Sequence, residues 1–319
     1  MAQEQFGICA EANLHGLFLM FNAHDGREAY IRESLAKLTS IFDEISEQFS
    51  ESMVSTVIAI GANYWNELYP AVRPKLLRSF PAIEHGDITM PAVPYDLMIQ
   101  IRSDRADVNH LAGLRVCALL SNAVELVEQI RGFRYLDGRD LTGFVNGTGN
   151  PKGRRKREVA LVSKEQDPEF ENGSYLHVQR YRHQLTKWES LDVSAQEEVI
   201  GRSKIDNQEM NTATKPIYSH TSRVNMLDEH GQKMEILRQS MPYGHMKVQG
   251  LFFISCCHTP EHFELMLNSM VCTSAHNKNA DQVDNLLEYT QAETGAAFFA
   301  PSVNFIESYS ATYGNESLE

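Results

Sequence analysis

What most narrows the folds open to this chain is the order in which its hydrophobic periodicities follow one another. His15 to Asn22 is an apolar, strand-like run. From Asp25 onward the apolar positions Ile31, Leu35, Leu38, Phe42, Ile45 and Phe49 fall three and four apart, which places one stripe on one face of a helix. Met53 to Ile60 is a β-branched run stopped by Gly61, a second strand. A proline-punctuated stretch (Pro70, Pro74, Pro81, Pro91, Pro94) leads to a short apolar strand from Asp96 to Arg102. A helix from Ala106 to Leu120 follows, with Val108, Leu111, Ala112, Val116 and Leu119 inward, and then a strand from Ala123 to Ile130. The order is β-α-β-β-α-β, the ferredoxin-like arrangement.

The second half repeats this order less cleanly. Ser174 to Tyr181 alternates like a strand, and Thr186 to Ile200 reads as a helix. Met234 to Arg238 and Val248 to Cys256 read as strands, Thr259 to Met270 as a helix, and a closing strand is placed near Ala297 to Ala300. No residue-level repeat links the halves, so the duplication rests on element order alone. The expected fold is α+β: a ferredoxin-like half over 1–136, a connection over 137–173 and a second half over 174–319, packed as a dimeric-repeat, barrel-like core. The connection is rich in Gly, Asn, Asp, Lys and Arg, and is too long for a passive link, so function is sought there.

Bulk properties exclude several classes. Hydrophobic residues at 42% and charged residues at 22% are globular values. A formal charge of −13 repels phosphate backbones, so general nucleic-acid binding is not expected. The basic island Lys152 to Arg157 is read as a solvated loop rather than a partner patch. The segment Met1 to Gly7 has no basic stretch followed by an apolar one, and no apolar run approaches the roughly 18 residues needed to span a bilayer. Cys9, Cys117, Cys256, Cys257 and Cys272 are odd in number and unpatterned, which suits free thiols in a reducing compartment. The expectation is a soluble, cytoplasmic protein.

Within the connection, Arg139 to Pro151 holds Gly143, Gly147 and Gly149, which let backbone turn tightly and approach a ligand closely. It is neither a Walker loop nor a Rossmann fingerprint, and taken alone it reads as structural. Cys256, Cys257, His258 and His262 could suggest zinc, but adjacent cysteines on a strand point to opposite faces. His177 and His183 read as structural or rim residues, and Tyr181, Trp188 and Tyr243 as packing residues that could also pass electrons.

Gly132-Phe133-Arg134-Tyr135, Arg139 to Phe144, Gly147-Thr148 and Asn150-Pro151 resemble the signature of bacterial dye-decolorizing peroxidases of the type B group. So do Ile200 to Lys204 with Asp206, Ser219-His220 with Arg223 to Asn225, Ile236 to Gly244, and Gln249 to Ile254. The resemblance runs in order through nearly the whole chain. It implies a heme b cofactor, held mainly by the second half, with His220 as the iron ligand and Arg238 as the distal arginine that polarises peroxide. Gly147, Thr148, Ser240 and Phe253 match positions around the cofactor. It implies an enzyme that reduces hydrogen peroxide and oxidises dyes, phenols or other aromatic donors, working as a homo-oligomer (dimer or tetramer) without nucleic-acid or membrane partners.

The family's distal aspartate is Asn146 here, and Gly149 stands where close relatives carry glutamate. An amide cannot relay a proton as a carboxylate does. The alternatives are therefore a distal variant with impaired peroxidase activity, or a non-enzymatic heme-binding or heme-delivery protein. A chlorite-dismutase-like enzyme on a related fold is disfavoured by the Gly143 to Gly147 motif. The tail Tyr309 to Glu319 shows no apolar docking peptide of the kind that takes some relatives into encapsulin shells, so no cage partner is expected.

Overall fold

The structure is a computed structural model that describes residues 2–271 and 283–313. Cys272 and the last residues of the tail lie outside the described residues. The N-terminal half contributes β1 (His15–Ala23), β2 (Ser55–Gly61), a small ribbon of β3 (Ile83–His85) and β4 (Ile88–Met90), β5 (Leu97–Ser103) and β6 (Val124–Phe133). The C-terminal half contributes β7 (Ser174–His183), β8 (Leu237–Arg238), β9 (Met241–His245), β10 (Val248–Cys257) and β11 (Thr290–Ala300).

The main strands of the N-terminal half lie in the order β2-β5-β1-β6, and those of the C-terminal half in the order β9-β10-β7-β11. Numbered within each half, both read second, third, first, fourth, which is the ferredoxin-like order. The fourth strand of each half then meets the second of the other, through Gly132 with Tyr243 on one side and Phe298 with Gly61 on the other. With β7 also paired to β10, the strands close on themselves and leave no open edge between the halves. Gly132 permits one of these junctions, since a Cβ there would sit 2.8 Å from the Cβ of Met241.

Closure explains why several strands read as continuous apolar runs. In β1, Phe18 and Met20 face the barrel interior, where Phe18 lies 4.6 Å from Phe252. Leu17, Leu19 and Phe21 face the outer core, which holds Ile31, Leu35, Leu38 and Phe42 of the helix Glu28–Gln48 and Val108, Ala112 and Val116 of the helix Ala106–Leu120. A strand covered on both faces shows no polar alternation.

Several expected boundaries move. Met53 adopts a left-handed φ of 52° and stays outside β2. The single helix expected over Thr186 to Ile200 is two, Leu185–Glu189 and Val193–Ile200, and Asp192 starts the second by accepting from the amide of Ala195 at 2.8 Å. The strand expected over Met234 to Arg238 shrinks to β8, and the hairpin partner of β10 is β9, whose Pro242 and Gly244 disguise it. The closing strand is longer than Ala297 to Ala300 because its start, Thr290 to Gly295, mixes Gln291 and Glu293 with threonines and small residues and carries no apolar run. The basic island is also no plain loop. The helix Arg155–Ala160 uses it to reach acids elsewhere: Arg155 to Glu235 at 2.8 Å, Lys156 to Glu11 at 2.5 Å, and Arg157 to Glu4. No described helix is long and apolar enough to cross a membrane.

Candidate active site

A cavity of about 470 Å³ lies on the outer face of the C-terminal half, within the size range of cofactor pockets. Its strand wall carries Gln179, Tyr181 and His183 from β7 and Leu251 and Phe253 from β10. The helix Glu261–Met270 presents Phe263, Met266, Leu267 and Met270 to it, a stripe set by spacings of three and four. The short helix His220–Val224 and the loop around Asn146 complete the lining. Asn146, Gly147, Thr148, His220, Arg238, Ser240 and Phe253, the site residues expected from sequence, all line this one cavity.

His220 is the first residue of its helix, and its Nδ1 lies 2.7 Å from Oδ2 of the fully buried Asp284. A carboxylate accepts, so Nδ1 carries the proton and the lone pair falls on Nε2. Nε2 has no hydrogen-bond partner among the described residues. Asp284 is itself anchored, its Oδ1 accepting from the amide of Leu286 at 2.9 Å.

His183 makes the instructive contrast. Its Nδ1 meets Thr290 Oγ1 at 2.9 Å and its Nε2 meets Asp140 at 3.2 Å, so both ring nitrogens are engaged. Burial works against the Asp140 charge, but His183 and the Thr142 hydrogen bonds outweigh it and hold the carboxyl down at about 2. Of these two histidines on the cavity wall, only His220 has a nitrogen to offer a metal.

Gly147 sits at φ +68°, a conformation that glycine adopts without strain, and so turns the chain between Asn146 and Thr148. Thr148 Oγ1 accepts from Asn207 Nδ2 at 2.9 Å, tying the loop to the segment after Ile200. Asn146 Nδ2 donates a long bond of 3.4 Å to the carbonyl of Ser240, and Ser240 Oγ accepts from the amide of Ile254 at 3.2 Å. Burial lowers the Arg238 guanidinium to about 10, which leaves it protonated near neutrality. A Cβ at Gly149 would lie 3.9 Å from Arg238 Nη1, so a glutamate there would have an arginine within reach. With glycine present, no carboxylate pairs with Arg238 among the described residues.

A second cavity of about 280 Å³ adjoins the first and shares Val145, Asn146, Gly147, Arg238 and Ser240 with it. The other residues considered from sequence take structural places. Trp188 is buried, donates to the carbonyl of Thr142 at 2.9 Å and packs on Phe144 and Tyr289. His177 is buried and stacked on Phe263 at 4.2 Å. Cys256 joins the barrel core while Cys257 faces the other way, where burial pushes its thiol up to about 12.

Asp284 and the Asp140–His183 pair were not anticipated. The only sequence sign at Asp284 is an aspartate opening a turn, here the 3₁₀ helix Asn285–Glu288, and such aspartates are common. Asp140 falls within the signature segment but carries no mark of its partner.

An apolar slot with one imidazole nitrogen to spare, backed by a buried carboxylate, suits a flat iron macrocycle. Fold and site together define a two-repeat barrel protein whose pocket offers one histidine nitrogen, unengaged among the described residues, beside a cationic, amide-lined wall. The chain belongs to the Dyp-type peroxidase family: the model of its N-terminal part matches residues 5–134 and that of its C-terminal part residues 137–305. It is 51% identical to a putative Dyp-type peroxidase from Shewanella oneidensis of solved structure, covering 97% of this chain and 99% of that one at a TM-score of 0.93. It is similar to a Rhodococcus jostii RHA1 DypB variant solved in complex with heme, at 31% identity, 94% and 96% coverage and a TM-score of 0.89. A dye-decolorizing peroxidase of Mycobacterium tuberculosis is 34% identical over 94% of this chain and 89% of its own length.

Proposed function

We propose that this protein is a heme b-dependent peroxidase that reduces hydrogen peroxide and oxidises aromatic donors such as dyes and phenols. The observation that carries the reading is the His220–Asp284 pair, with Nε2 of His220 left over on the wall of a cavity that also holds Arg238. When bound, heme supplies the redox chemistry of peroxide reduction and donor oxidation. His220 would hold the heme iron through Nε2, and Asp284 would fix the tautomer of that histidine and make it a stronger donor. Arg238 polarises the incoming peroxide and stabilises charge as the O–O bond breaks. Asn146 and Ser240 hold peroxide or water by hydrogen bonds, Gly147 and Thr148 shape the loop beside the cofactor, and Phe253 helps to keep the pocket dry. Proton transfer then falls to water under the influence of Arg238, because an amide at position 146 has no useful acid–base range.

The functional units are the halves 1–136 and 174–319 with the loop 137–173 between them. The chain is read further as a cytoplasmic homo-oligomer, a dimer or tetramer, on its unpatterned cysteines and family likeness. The amide at Asn146 also favours a second reading, a heme carrier without turnover. An absorption spectrum of the heme-loaded protein, before and after peroxide, separates the two. A Soret band that changes with peroxide, with oxidation of a phenolic dye, supports the enzyme. An unresponsive band, with heme passing readily to an acceptor apoprotein, supports the carrier.

A further inference from the structure

We propose that the protein carries a site for a small carboxylate anion in the second cavity, centred on Arg102. Arg102 projects from β5 and is only 2% exposed. One terminal nitrogen donates to Gln239 Oε1 and the other to the carbonyl of Gly7 at 3.0 Å, while Nε is buried without a partner. No carboxylate pairs with it among the described residues. Cys256 lies nearby, but burial holds its thiol up at about 12, so it stays neutral near pH 7. The guanidinium, lowered by burial to about 10, stays charged. A buried charge with no counter-charge is costly, and a bound anion is a direct remedy.

The cavity itself points the same way. Arg134, Arg139 and Arg238 line it with Arg102, against a single carboxylate, Asp137. That carboxylate is engaged by Arg139 at 2.8 Å. Arg102, Arg134 and Arg238 are left without a carboxylate partner among the described residues, Arg134 donating only to the main-chain carbonyl of Asp137. In a chain whose formal charge is −13, this is a local inversion of the protein's overall sign. Guanidinium forks favour planar carboxylates, and about 280 Å³ admits one of formate or acetate size with water.

The cavity shares Asn146, Arg238 and Ser240 with the candidate active site. A bound carboxylate would therefore stand where the chain lacks one of its own. It would take one proton from hydrogen peroxide and return it to the oxygen that leaves as water, with the electrons for O–O cleavage coming from the cofactor. This role rests on the peroxidase reading above; the binding site does not.

The test is thermal unfolding of the heme-loaded protein in sodium formate, against the sodium salt of a bulky sulfonate buffer at equal ionic strength. Formate should raise the midpoint saturably, by about 2–4 °C at ten times its dissociation constant. The bulky anion should not, and Arg102→Met should abolish the response. Equal effects of the two anions on the unmodified protein would mean screening and overturn the site, whether or not the variant folds. Stopped-flow rates with peroxide, recorded over the same formate range, should rise with the same midpoint, and less so in Asn146→Asp. A Soret shift with slower peroxide reaction would put formate on the iron and overturn the proposal. A formate-specific thermal shift with flat rates would keep the site and remove its proton role. The same shift with no peroxide chemistry at all would sink the peroxidase reading alone.

Discussion

The side-chain amide of Asn150 grips the main chain of Arg238 at two points, Nδ2 donating to its carbonyl at 2.8 Å and Oδ1 accepting from its amide at 2.9 Å. The bracket joins the glycine-rich loop to β8 and sets where the guanidinium emerges. Asn150→Ala removes both bonds and leaves two main-chain groups to find water. We expect peroxide reaction to slow by about 10- to 100-fold, as small misplacements of a charged group do, with heme content unchanged. Stopped-flow at matched heme loading checks this, and an unaltered rate would show that β8 holds Arg238 unaided.

His220→Ala should lose heme, because Nε2 is the nitrogen that the pocket offers to iron. Asp284→Asn tests the partner separately. It keeps an acceptor for Nδ1 but removes the buried charge, and metal affinity or activity should fall by about 10- to 100-fold. Heme titration followed at the Soret band measures both. Full retention in His220→Ala would move the ligand elsewhere.

Arg238→Leu should slow peroxide reaction by about a hundredfold or more while heme stays in place, the usual cost of losing a donor aimed at developing charge. A rate within a few-fold of the parent would mean that peroxide is activated away from this wall.

Asn146→Asp should raise peroxidase turnover and introduce a pH inflection that the parent lacks. Proton relay contributes about a hundred- to ten-thousand-fold, and the low end is expected because water and Arg238 share the work. Formation rates followed across roughly pH 4 to 8 bracket a carboxylate. Identical profiles would show that position 146 does not govern O–O cleavage.

Asp140 gives a stability prediction with a definite sign. Its carboxyl is held at about 2 in the folded chain, below the 3.8 of an unperturbed group. A depressed carboxylate stabilises the fold above its unfolded pKa, and that contribution fades as pH falls from about 4 toward 2. Asp140→Asn should therefore cost about 2 kcal/mol near neutrality, shrinking in acid. Urea unfolding of both forms at pH 7 and pH 3 reads the difference. A cost independent of pH would assign it to packing rather than to the charge.

Much of the architecture was legible because it is written in local pattern. The stripe Ile31, Leu35, Leu38, Phe42 and Ile45 can satisfy its apolar face only as a helix against the sheet, and all five are buried there. The signature segments likewise marked the residues that line the cavity. Local pattern failed where a strand's stability comes from its neighbours. β9 contains Pro242 and Gly244, and β11 opens with polar Thr290, Gln291 and Glu293, yet both hold because neighbouring strands pair with them: β10 and β6 with β9, and β7 along the whole of β11. Family resemblance pointed to His220 in the sequence, but only the tertiary structure shows that its ring keeps a nitrogen unengaged among the described residues while both nitrogens of His183 are taken. His220 and Asp284 are 64 residues apart and make no mark on each other's surroundings in sequence. Nothing in the sequence around Arg102 shows that it would be buried without a carboxylate either. Periodicity reports how each segment meets a core, but the pairing of polar groups depends on which segments the closed barrel brings together.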